Sequence, residues 1–342
     1  MCLYFIEKGT VFIKMRILLI CTYFGALPEH FPFFLKSCEY NPDIDWLIYT
    51  DDTRFDYNIP QNVRIQYISF DEIKTKIQSM FDFEISLETP YKICDFRVAF
   101  GDIFEEDISL YDFWGYCDFD VIFGDICKYL SKDILMRYSK FFIFGCLSIY
   151  KNVPEINRAY KHDLVDVNRQ IYLSYKDIFS SAESWHFDEV NGIFDIHSIF
   201  QDMKLPYYDT SEHIADIVMK SKRLYLLSDK SFIENRVVEW VNGKLYDRFV
   251  FNGQLGCREY SLFHFSGRSF AYDQKPSALT KAFLITSDSI LTKYPQIDLC
   301  NISKYSKVSN NNEVEETLYV NPNITFKRIW RQYTRLRNKK SI

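Results

Sequence analysis

Apolar and polar positions alternate in blocks along the first 125 residues, and each block has the length of a strand or a helix. Apolar runs rich in β-branched residues over 15–23, 44–50 and 63–70 predict buried strands. The segments between them place apolar residues three or four positions apart, which predicts amphipathic helices. Strands that alternate with helices predict an α/β fold with a mostly parallel sheet and helices on both faces.

The pattern loosens after residue 126. Before that point, residues 89–104 predict a further helix and 112–120 a fourth strand. The later predicted segments are short: a strand over 141–152, a loop entering a helix over 184–200, and a late strand over 260–270. We therefore expect one domain over residues 15–300, with a regular half over 15–126 and a more irregular half over 127–300.

The first residues imitate a signal peptide without satisfying its requirements. The apolar run after Arg16 is only eleven residues long and lacks a small-residue cleavage site. It is also too short to span a bilayer. Met15 directly precedes the first predicted strand, so residues 1–14 are expected to be a leader or a misassigned start.

The C-terminal segments differ sharply in composition. Residues 301–324 are polar and predict a linker. Residues 325–342 predict a basic amphipathic helix that lies on an anionic membrane surface, where each Lys or Arg contributes about 1 kcal/mol. Its basic residues are Lys327, Arg328, Arg331, Arg335, Arg337, Lys339 and Lys340, and it has no acidic ones. A solvated or partner-bound helix is the alternative.

Charge and cysteine usage narrow the class of protein. The formal net charge of −5 excludes nucleic-acid binding by bulk electrostatics. The nine cysteines form no CxxC pair, and most lie in apolar runs. We therefore expect them to act as small hydrophobic residues and the protein to occupy a reducing cytoplasm. The aromatic share of 18% is high and reflects either codon composition or a sugar-handling surface.

Two carboxylates stand in an otherwise apolar run. Asp118 and Asp120 flank Phe119 at the end of the fourth predicted strand, and Asp51 and Asp52 end the second. Residues two apart in a strand share a face, so unpaired carboxylates would repel one another and lose hydration. A divalent cation with hard oxygen ligands, Mn²⁺ or Mg²⁺, removes both costs. The alternative is an ordinary Asp-x-Asp turn.

Several motifs in sequence order resemble a known group. YKICDFR, DFWGYCDFDVIFGDI, GCLSIYKN, WHFDE and LFHF are similar to a bacterial family of glycosyltransferases that resembles GT-A nucleotide-sugar transferases with a DXD motif. The resemblance covers roughly residues 15–270. It implies a GT-A-like, Rossmann-like catalytic domain over 15–300, in which 15–126 is the donor half and 127–300 the acceptor half.

The resemblance also implies roles for particular residues. The metal ligands would be Asp118, Asp120 and His264. The nucleotide sugar would contact Thr22, Tyr23, Gly25, Asp51, Asp52, Tyr91, Lys92, Asp95, Asp118 and Arg268. Two alternatives stay open: Lys92 and Asp95 form an exposed helical ion pair, and His264 is a hydrogen-bonded core histidine.

Asp188 and Glu189 are the candidate catalytic residues. They lie beside Trp185 and Phe187, and an aromatic ring next to a carboxylate suits the apolar face and the hydroxyls of a sugar. In an inverting enzyme one acid would be the general base, with Asp188 favoured for the hydroxyl contact; in a retaining enzyme both would position the acceptor. The alternative is a helix N-cap acid beside a core tryptophan.

These observations predict a metal-dependent glycosyltransferase. It would move a sugar from a nucleotide-diphosphate donor, foremost a UDP-sugar, to a saccharide or lipid-linked acceptor in capsule, O-antigen or lipopolysaccharide synthesis, on the cytoplasmic face of the membrane. A sugar nucleotidyltransferase is one alternative, although no glycine-rich nucleotide loop is present. A non-catalytic saccharide-binding protein on a decayed transferase scaffold is another.

Overall fold

The computed structural model describes residues 5–7, 10–12, 15–54, 57–166, 171–190, 194–217, 223–229 and 233–306. The predicted basic segment 325–342 and most of the predicted linker 301–324 lie outside these residues. None of the helices in the described part has both the length and the apolar character needed to cross a membrane.

Strands and short helices alternate along the described residues. The strands are β1 Phe5–Glu7, β2 Thr10–Phe12, β3 Ile17–Tyr23, β4 Ile44–Thr50, β5 Val63–Tyr67, β6 Phe113–Cys117, β7 Val121–Phe123, β8 Lys140–Phe144, β9 Leu147–Lys151, β10 Leu164–Asp166, β11 Ile171–Leu173, β12 Tyr207–Tyr208, β13 Ile214–Asp216, β14 Asn235–Val241, β15 Lys244–Phe251, β16 Gln254–Tyr260, β17 Leu262–His264, β18 Ala271–Tyr272, β19 Ala282–Ile285 and β20 Ser289–Leu291. The α-helices are α1 Phe31–Glu39, α2 Phe70–Gln78, α3 Phe100–Ile103, α4 Glu105–Ile108, α5 Lys132–Arg137, α6 Pro154–Asn157, α7 Tyr175–Phe179, α8 Ile196–Asp202 and α9 Ile302–Ser306. Segments Pro90–Ala99, Cys127–Tyr129, Ala159–Lys161 and Ser211–His213 are 3₁₀ helices.

A seven-stranded sheet forms the centre of the first half, in the order β12-β8-β9-β6-β3-β4-β5. Strands β6, β3, β4 and β5 run parallel, and β12 runs parallel to β8. Strand β9 runs antiparallel to both of its neighbours. The α/β prediction is therefore confirmed, with a sheet that is mixed rather than wholly parallel.

Helices cover both faces of this sheet, as the sequence predicts. Alternate residues of β3 point to opposite faces, so Leu18 and Ile20 pack with residues of α2, α3, α6, α7 and α8. Ile17 and Leu19 pack on the other face with residues of α1 and α5. Burial on both sides explains why β3 reads as a continuous apolar run.

Local signals explain where several elements begin and end. Helix α1 carries Pro32 in its first turn and ends at Glu39, shortly before Pro42. Helix α2 begins with a capping box in which Ser69 accepts from the backbone N–H of Glu72 and the Glu72 carboxylate accepts in return. Two elements differ from expectation: residues 89–104 begin as a ten-residue 3₁₀ helix, and 141–152 divide into β8 and β9.

The second half is more regular than its sequence predicts. Six strands form a second sheet in the order β16-β15-β14-β19-β20-β18, mostly antiparallel. A third sheet of three strands, β13-β17-β7, brings part of the second half against the strand that follows β6. The expected irregularity was wrong: Asn-Gly pairs at 242–243 and 252–253 form the two-residue turns of the hairpins β14-β15 and β15-β16, and sequence reasoning missed this hairpin signal.

Both predicted end segments contain regular structure. Strands β1 and β2 pair antiparallel within residues 1–14. Helix α9 lies inside the predicted linker, where Ile302 is 1% exposed and packs with Val237 and Leu284. Ser306 also donates to the side chain of Asn235 at 2.6 Å. The folded part therefore extends through residue 306, beyond the boundary that composition predicts.

Candidate metal centre

Three predicted metal ligands come together at the carboxyl end of β6. Asp118 and Asp120 lie in the turn between β6 and β7, and His264 ends β17. Antiparallel pairing of β7 with β17 places His264 directly opposite Val121, the residue after Asp120. One ligand atom from each side chain lies within 4.8 Å of the others.

Asp216 orients the imidazole of His264. Parallel pairing of β13 with β17 places these two residues opposite each other, and His264 Nδ1 lies 2.9 Å from Asp216 Oδ1. The other ring nitrogen, Nε2, faces Asp120 at 3.5 Å. A carboxylate on one nitrogen fixes the ring and leaves the second nitrogen to act as a ligand. Sequence reasoning missed Asp216, which has no motif to mark it.

The electrostatic environments of the two aspartates differ. Burial raises the pKa of Asp118, although the Arg97 guanidinium at 2.6 Å opposes the change. Burial also acts on Asp120, but the His264 side chain and the Gly267 N–H outweigh it, so the pKa of Asp120 is lowered. The turn therefore contains one carboxylate tied to arginine and one tied to histidine.

This set of side chains fits a divalent cation. Two carboxylates supply the hard oxygen atoms that Mg²⁺ and Mn²⁺ prefer, and an oriented imidazole supplies a nitrogen. His264 Nδ1 contacts Asp216 and Nε2 faces Asp120, so hydrogen bonding to two carboxylates also accounts for both ring nitrogens without a metal.

Arg97 links the centre to the neighbouring acidic pair. Its guanidinium contacts Asp118 Oδ1 at 2.6 Å, Asp188 Oδ2 at 3.0 Å and the carbonyl oxygen of Gly145 at 3.2 Å. It also lies over the ring of Tyr116. Sequence reasoning did not name Arg97, although it stands two residues after Asp95 in the YKICDFR motif.

Thr22 and Tyr23 end β3 beside this centre. The ring of Tyr23 stacks on Phe119 with centroids 5.3 Å apart, and Phe119 lies between the two aspartates. Burial and the charge of Asp120 raise the pKa of the Tyr23 hydroxyl. The structure therefore brings the end of β3 next to the candidate ligands, as the sequence predicts.

Asp51 and Asp52 hold the loop after β3. The Asp51 carboxylate accepts from the N–H of Gly25 at 2.7 Å, and Asp52 accepts from the N–H of Leu27 at 2.9 Å. Gly25 has φ of +95°, which favours glycine at this position. Asp52 also pairs with Arg54, which lowers its pKa. These contacts join the ends of β3 and β4. The Asp52 carboxylate already accepts hydrogen bonds from Leu27 and Arg54.

Lys92 and Asp95 form a buried pair rather than an exposed one. Their side chains are 3% and 0% exposed and 2.6 Å apart, because residues three apart eclipse each other in a 3₁₀ helix. Lys92 donates to carbonyl oxygens of Ile178 and Glu183. Asp95 accepts from the backbone of 185 and 187. The pair holds the segment that precedes Asp188 in place. Neither side chain is exposed enough to contact a nucleotide sugar.

The two candidate catalytic acids have different exposures. The Asp188 side chain is 0% exposed and faces Arg97, and burial raises its pKa. The Glu189 side chain is 50% exposed, lies 3.3 Å from His186 Nδ1 and packs against Gly145. The preference for Asp188 as a hydroxyl contact does not agree with these exposures, because only the Glu189 carboxylate reaches solvent.

The alternative for Asp188 and Glu189, a helix N-cap acid beside a core tryptophan, is right only for the tryptophan. Trp185 is 1% exposed and belongs to the core. The N-cap of α8, however, is Asp195, whose carboxylate accepts from the N–H of Ser198 at 2.7 Å. Neither Asp188 nor Glu189 caps the helix.

Tyr91 and Arg268 contact different segments of the chain. Tyr91 is 65% exposed, and its ring meets the His186 ring edge-on with centroids 5.9 Å apart. The Arg268 guanidinium donates to the carbonyl oxygens of Ser287 and Arg223. Burial lowers the pKa of Arg268. Its neighbour Gly267, through its backbone N–H, is the residue of this loop that contacts Asp120.

Fold and site together define an α/β protein with a carboxylate and histidine centre at the carboxyl edge of its main sheet. The chain belongs to the family described as "Family of unknown function (DUF6625)", whose model matches residues 19–294. The matched region contains every residue of the candidate centre. A search of curated proteins finds no match to this chain.

Proposed function

We propose that this protein is a metal-dependent glycosyltransferase with a GT-A-like catalytic domain. The observation that carries the proposal is the convergence of Asp118, Asp120 and His264, with ligand atoms within 4.8 Å. A bound divalent cation would supply Lewis-acid chemistry that neutralises a departing nucleoside diphosphate, a contribution of several kcal/mol.

The position of the centre in the sheet supports the proposal. Strand β3 has β4 and then β5 on one side and β6 on the other. The strand order therefore reverses between β3 and β6. Ligands of open α/β sheets bind outside the carboxyl ends of the strands at such a point. Tyr23 ends one of these strands and Asp118 follows the other.

The side chains around the centre have separable roles in this proposal. Asp118, Asp120 and His264 would hold the cation, with Arg97 and Asp216 fixing two of them. The loop after β3, held by Asp51, would face the nucleoside.

Glu189 is the general base of an inverting transfer. Its half-exposed carboxylate accepts the proton of the acceptor hydroxyl while that oxygen bonds to the anomeric carbon of the sugar. The bond from the anomeric carbon to the diphosphate breaks, and the nucleoside diphosphate leaves. In a retaining transfer the same carboxylate positions that hydroxyl.

The substrates follow from the same proposal. The donor is a UDP-sugar, and the acceptor is a saccharide or a lipid-linked saccharide of a cell-surface polysaccharide. Attachment of residues 325–342 to the inner face of the cytoplasmic membrane would bring the enzyme to a lipid-linked acceptor. High aromatic content and the absence of a glycine-rich phosphate loop agree with a sugar-handling transferase.

Removing one ligand charge tests the proposal. We expect the wild-type chain to bind UDP in the presence of Mn²⁺ and to release UDP from at least one UDP-sugar. Asp120→Asn should lower turnover by at least about 100-fold, because a neutral amide is a weaker ligand. It should lower the melting temperature only slightly, because the amide oxygen still accepts from the Gly267 N–H although the charge pairing with His264 is lost. Calorimetry, a UDP-release assay and thermal unfolding provide the measurements.

A matched control and the product separate the alternatives. Asp133→Asn removes an exposed carboxylate on α5 and should change neither quantity. Release of pyrophosphate from a nucleoside triphosphate would indicate a nucleotidyltransferase, and binding without turnover a decayed scaffold. If Mn²⁺ and Mg²⁺ leave the affinity for UDP and UDP-sugars unchanged, the proposal fails.

A further inference from the structure

One exposed aromatic ring lies next to the candidate base. Tyr91 is 65% exposed at the start of the 3₁₀ helix. Its ring meets that of His186 at 5.9 Å, and His186 Nδ1 lies 3.3 Å from Glu189 Oε1. An aromatic ring, an imidazole and a carboxylate therefore follow one another, and Glu189 is linked to the metal centre through Gly145 and Arg97.

The sequence associates the acids with different rings. Trp185 and Phe187 are adjacent to Asp188 and Glu189 in the chain, but they are 1% and 0% exposed and belong to the core. Neither ring can contact a substrate. Tyr91 is almost one hundred residues away in sequence, and the buried contacts of Asp95 with the backbone of 185 and 187 bring it to the acids.

The backbone holds this arrangement in a specific conformation. His186 has φ of +54°, a left-handed conformation that side-chain-bearing residues rarely adopt. Strained residues of this kind cluster at functional sites, where surrounding contacts hold them in place. Here the conformation lets one residue contact Tyr91 on one side and Glu189 on the other.

We propose that Tyr91, His186 and Glu189 form a subsite for the acceptor saccharide, a role that rests on the proposed transferase function. A pyranose has an apolar C–H face and a rim of hydroxyls. The Tyr91 ring packs on the C–H face, as aromatic rings in ligand sites do, and Glu189 accepts a hydroxyl hydrogen bond. His186 is a positioning residue that keeps the carboxylate beside the ring.

The subsite is distinct from the donor role that the motif resemblance implies for Tyr91. Lys92 and Asp95 of the same segment are buried beneath the surface, so only Tyr91 of the three reaches solvent. Its contact is with the loop that carries Glu189. Because Tyr91 contacts the loop that carries the candidate base, we assign it to the acceptor, the substrate whose hydroxyl loses a proton.

Binding of simple glycosides to the full chain tests this subsite. Methyl glycosides of glucose, galactose, mannose and N-acetylglucosamine are titrated by ligand-observed NMR, with and without UDP and Mn²⁺. We expect at least one to bind. Tyr91→Ala should weaken that binding by at least about tenfold, because the ring face is lost, whereas Tyr91→Phe should keep it within about threefold.

Tyr172→Ala provides the matched control. Tyr172 is 58% exposed on β11 and contacts Asp163, outside the proposed subsite. Its loss should leave glycoside affinity within about twofold. Equal weakening by both alanine variants overturns the subsite, as does the absence of glycoside binding to the wild type.

A parallel UDP titration separates this inference from the proposed function. Tyr91→Ala should leave Mn²⁺-dependent affinity for UDP within about twofold, and a larger loss would assign the ring to the donor and overturn the acceptor subsite. If the wild type takes up no UDP but binds glycosides through Tyr91, the transferase proposal fails and the saccharide subsite stands.

Discussion

Lys140 shows how a single buried charge affects this protein. It lies on β8 with 0% exposure, and its ammonium nitrogen has no hydrogen-bond partner in the described part of the chain. The rings of Tyr150 and Phe200 are its nearest aromatic neighbours. Burial lowers its pKa to about 8, although the charges of Asp188 and Asp195 oppose the change. His197 also faces it.

Replacing this lysine should stabilise the protein. Unfolded lysine keeps its ordinary pKa of about 10.4, so the unfolded chain binds the proton more tightly and folding carries a cost at neutral pH. We expect Lys140→Met to raise the free energy of unfolding by about 1–3 kcal/mol at about pH 7, since a methionine of similar shape needs no partner. Urea unfolding measures this difference.

The sign of the pH dependence provides a second check. As the pH rises from about 8 towards 10.4, the native lysine loses its proton and the advantage of methionine should shrink. Lys244→Met, at an exposed position on β15, should show no such change. A Lys140→Met variant less stable than wild type at about pH 7 would mean that the ammonium group has a stabilising partner.

At the scale of elements, helix α9 extends the fold past its predicted end. Its Ile302 packs into the cluster formed by Val237 and Leu284, and Ser306 bonds Asn235 on β14. We compare a chain that ends at 306 with one that ends at 301. Loss of α9 should lower the free energy of unfolding by about 2–4 kcal/mol, because it exposes a buried isoleucine and its apolar surroundings.

Thermal and urea unfolding of the two chains provide the measurement. Ser303→Ala changes one residue of α9 and keeps the buried Ile302, so it should leave the free energy of unfolding almost unchanged. It is the control for a change within the helix that removes no buried apolar side chain. Equal stability of the 301 and 306 chains would show that α9 contributes nothing to the fold and that the predicted linker boundary is right.

The elements also show what the sequence could predict. Burial on both faces makes β3 and β4 largely apolar, so hydrophobic runs located them. The sequence did not reveal that the chain leaves the main sheet at Asp118, because β7 pairs with β17 from 140 residues later. Pairings of that range leave no local pattern in the sequence.

The candidate site was predictable to a similar degree. Asp118 and Asp120 stood out because carboxylates in an apolar run require a partner. His264 came from the motif resemblance alone, and Asp216 could not be found without the register of β13 with β17. Asp188 and Glu189 differ in their exposure to solvent. The exposure of adjacent loop residues depends on tertiary packing, which the hydrophobic pattern of the sequence does not show.

At the scale of the whole molecule, charge is unevenly distributed along the chain. The net charge is −5, yet residues 325–342 contain seven basic residues and no acidic ones. The rest of the chain is therefore strongly acidic and is repelled by anionic surfaces. This asymmetry predicts that any membrane attachment depends on the C-terminal segment alone.

Vesicle sedimentation tests that prediction. The full chain should bind vesicles rich in anionic phosphatidylglycerol at low salt, and binding should weaken near 1 M salt, where the screening length falls to about 3 Å. A chain that ends at 324 should not bind, and neutral phosphatidylcholine vesicles serve as the control. Salt-independent binding, or binding by the shortened chain, contradicts an electrostatic anchor in this segment.

Gly145 gives the molecule a constraint that spans both parts of its site. A methyl group there would meet Glu189 Cγ at 2.6 Å, and the carbonyl oxygen of the same residue accepts from Arg97. The carbonyl of the next residue, Cys146, accepts from the backbone N–H of Asp118. The backbone of Gly145 and Cys146 thus contacts both Glu189 and the segment that carries Asp118, so a side chain at 145 that displaces Glu189 would also disturb the anchor of Asp118.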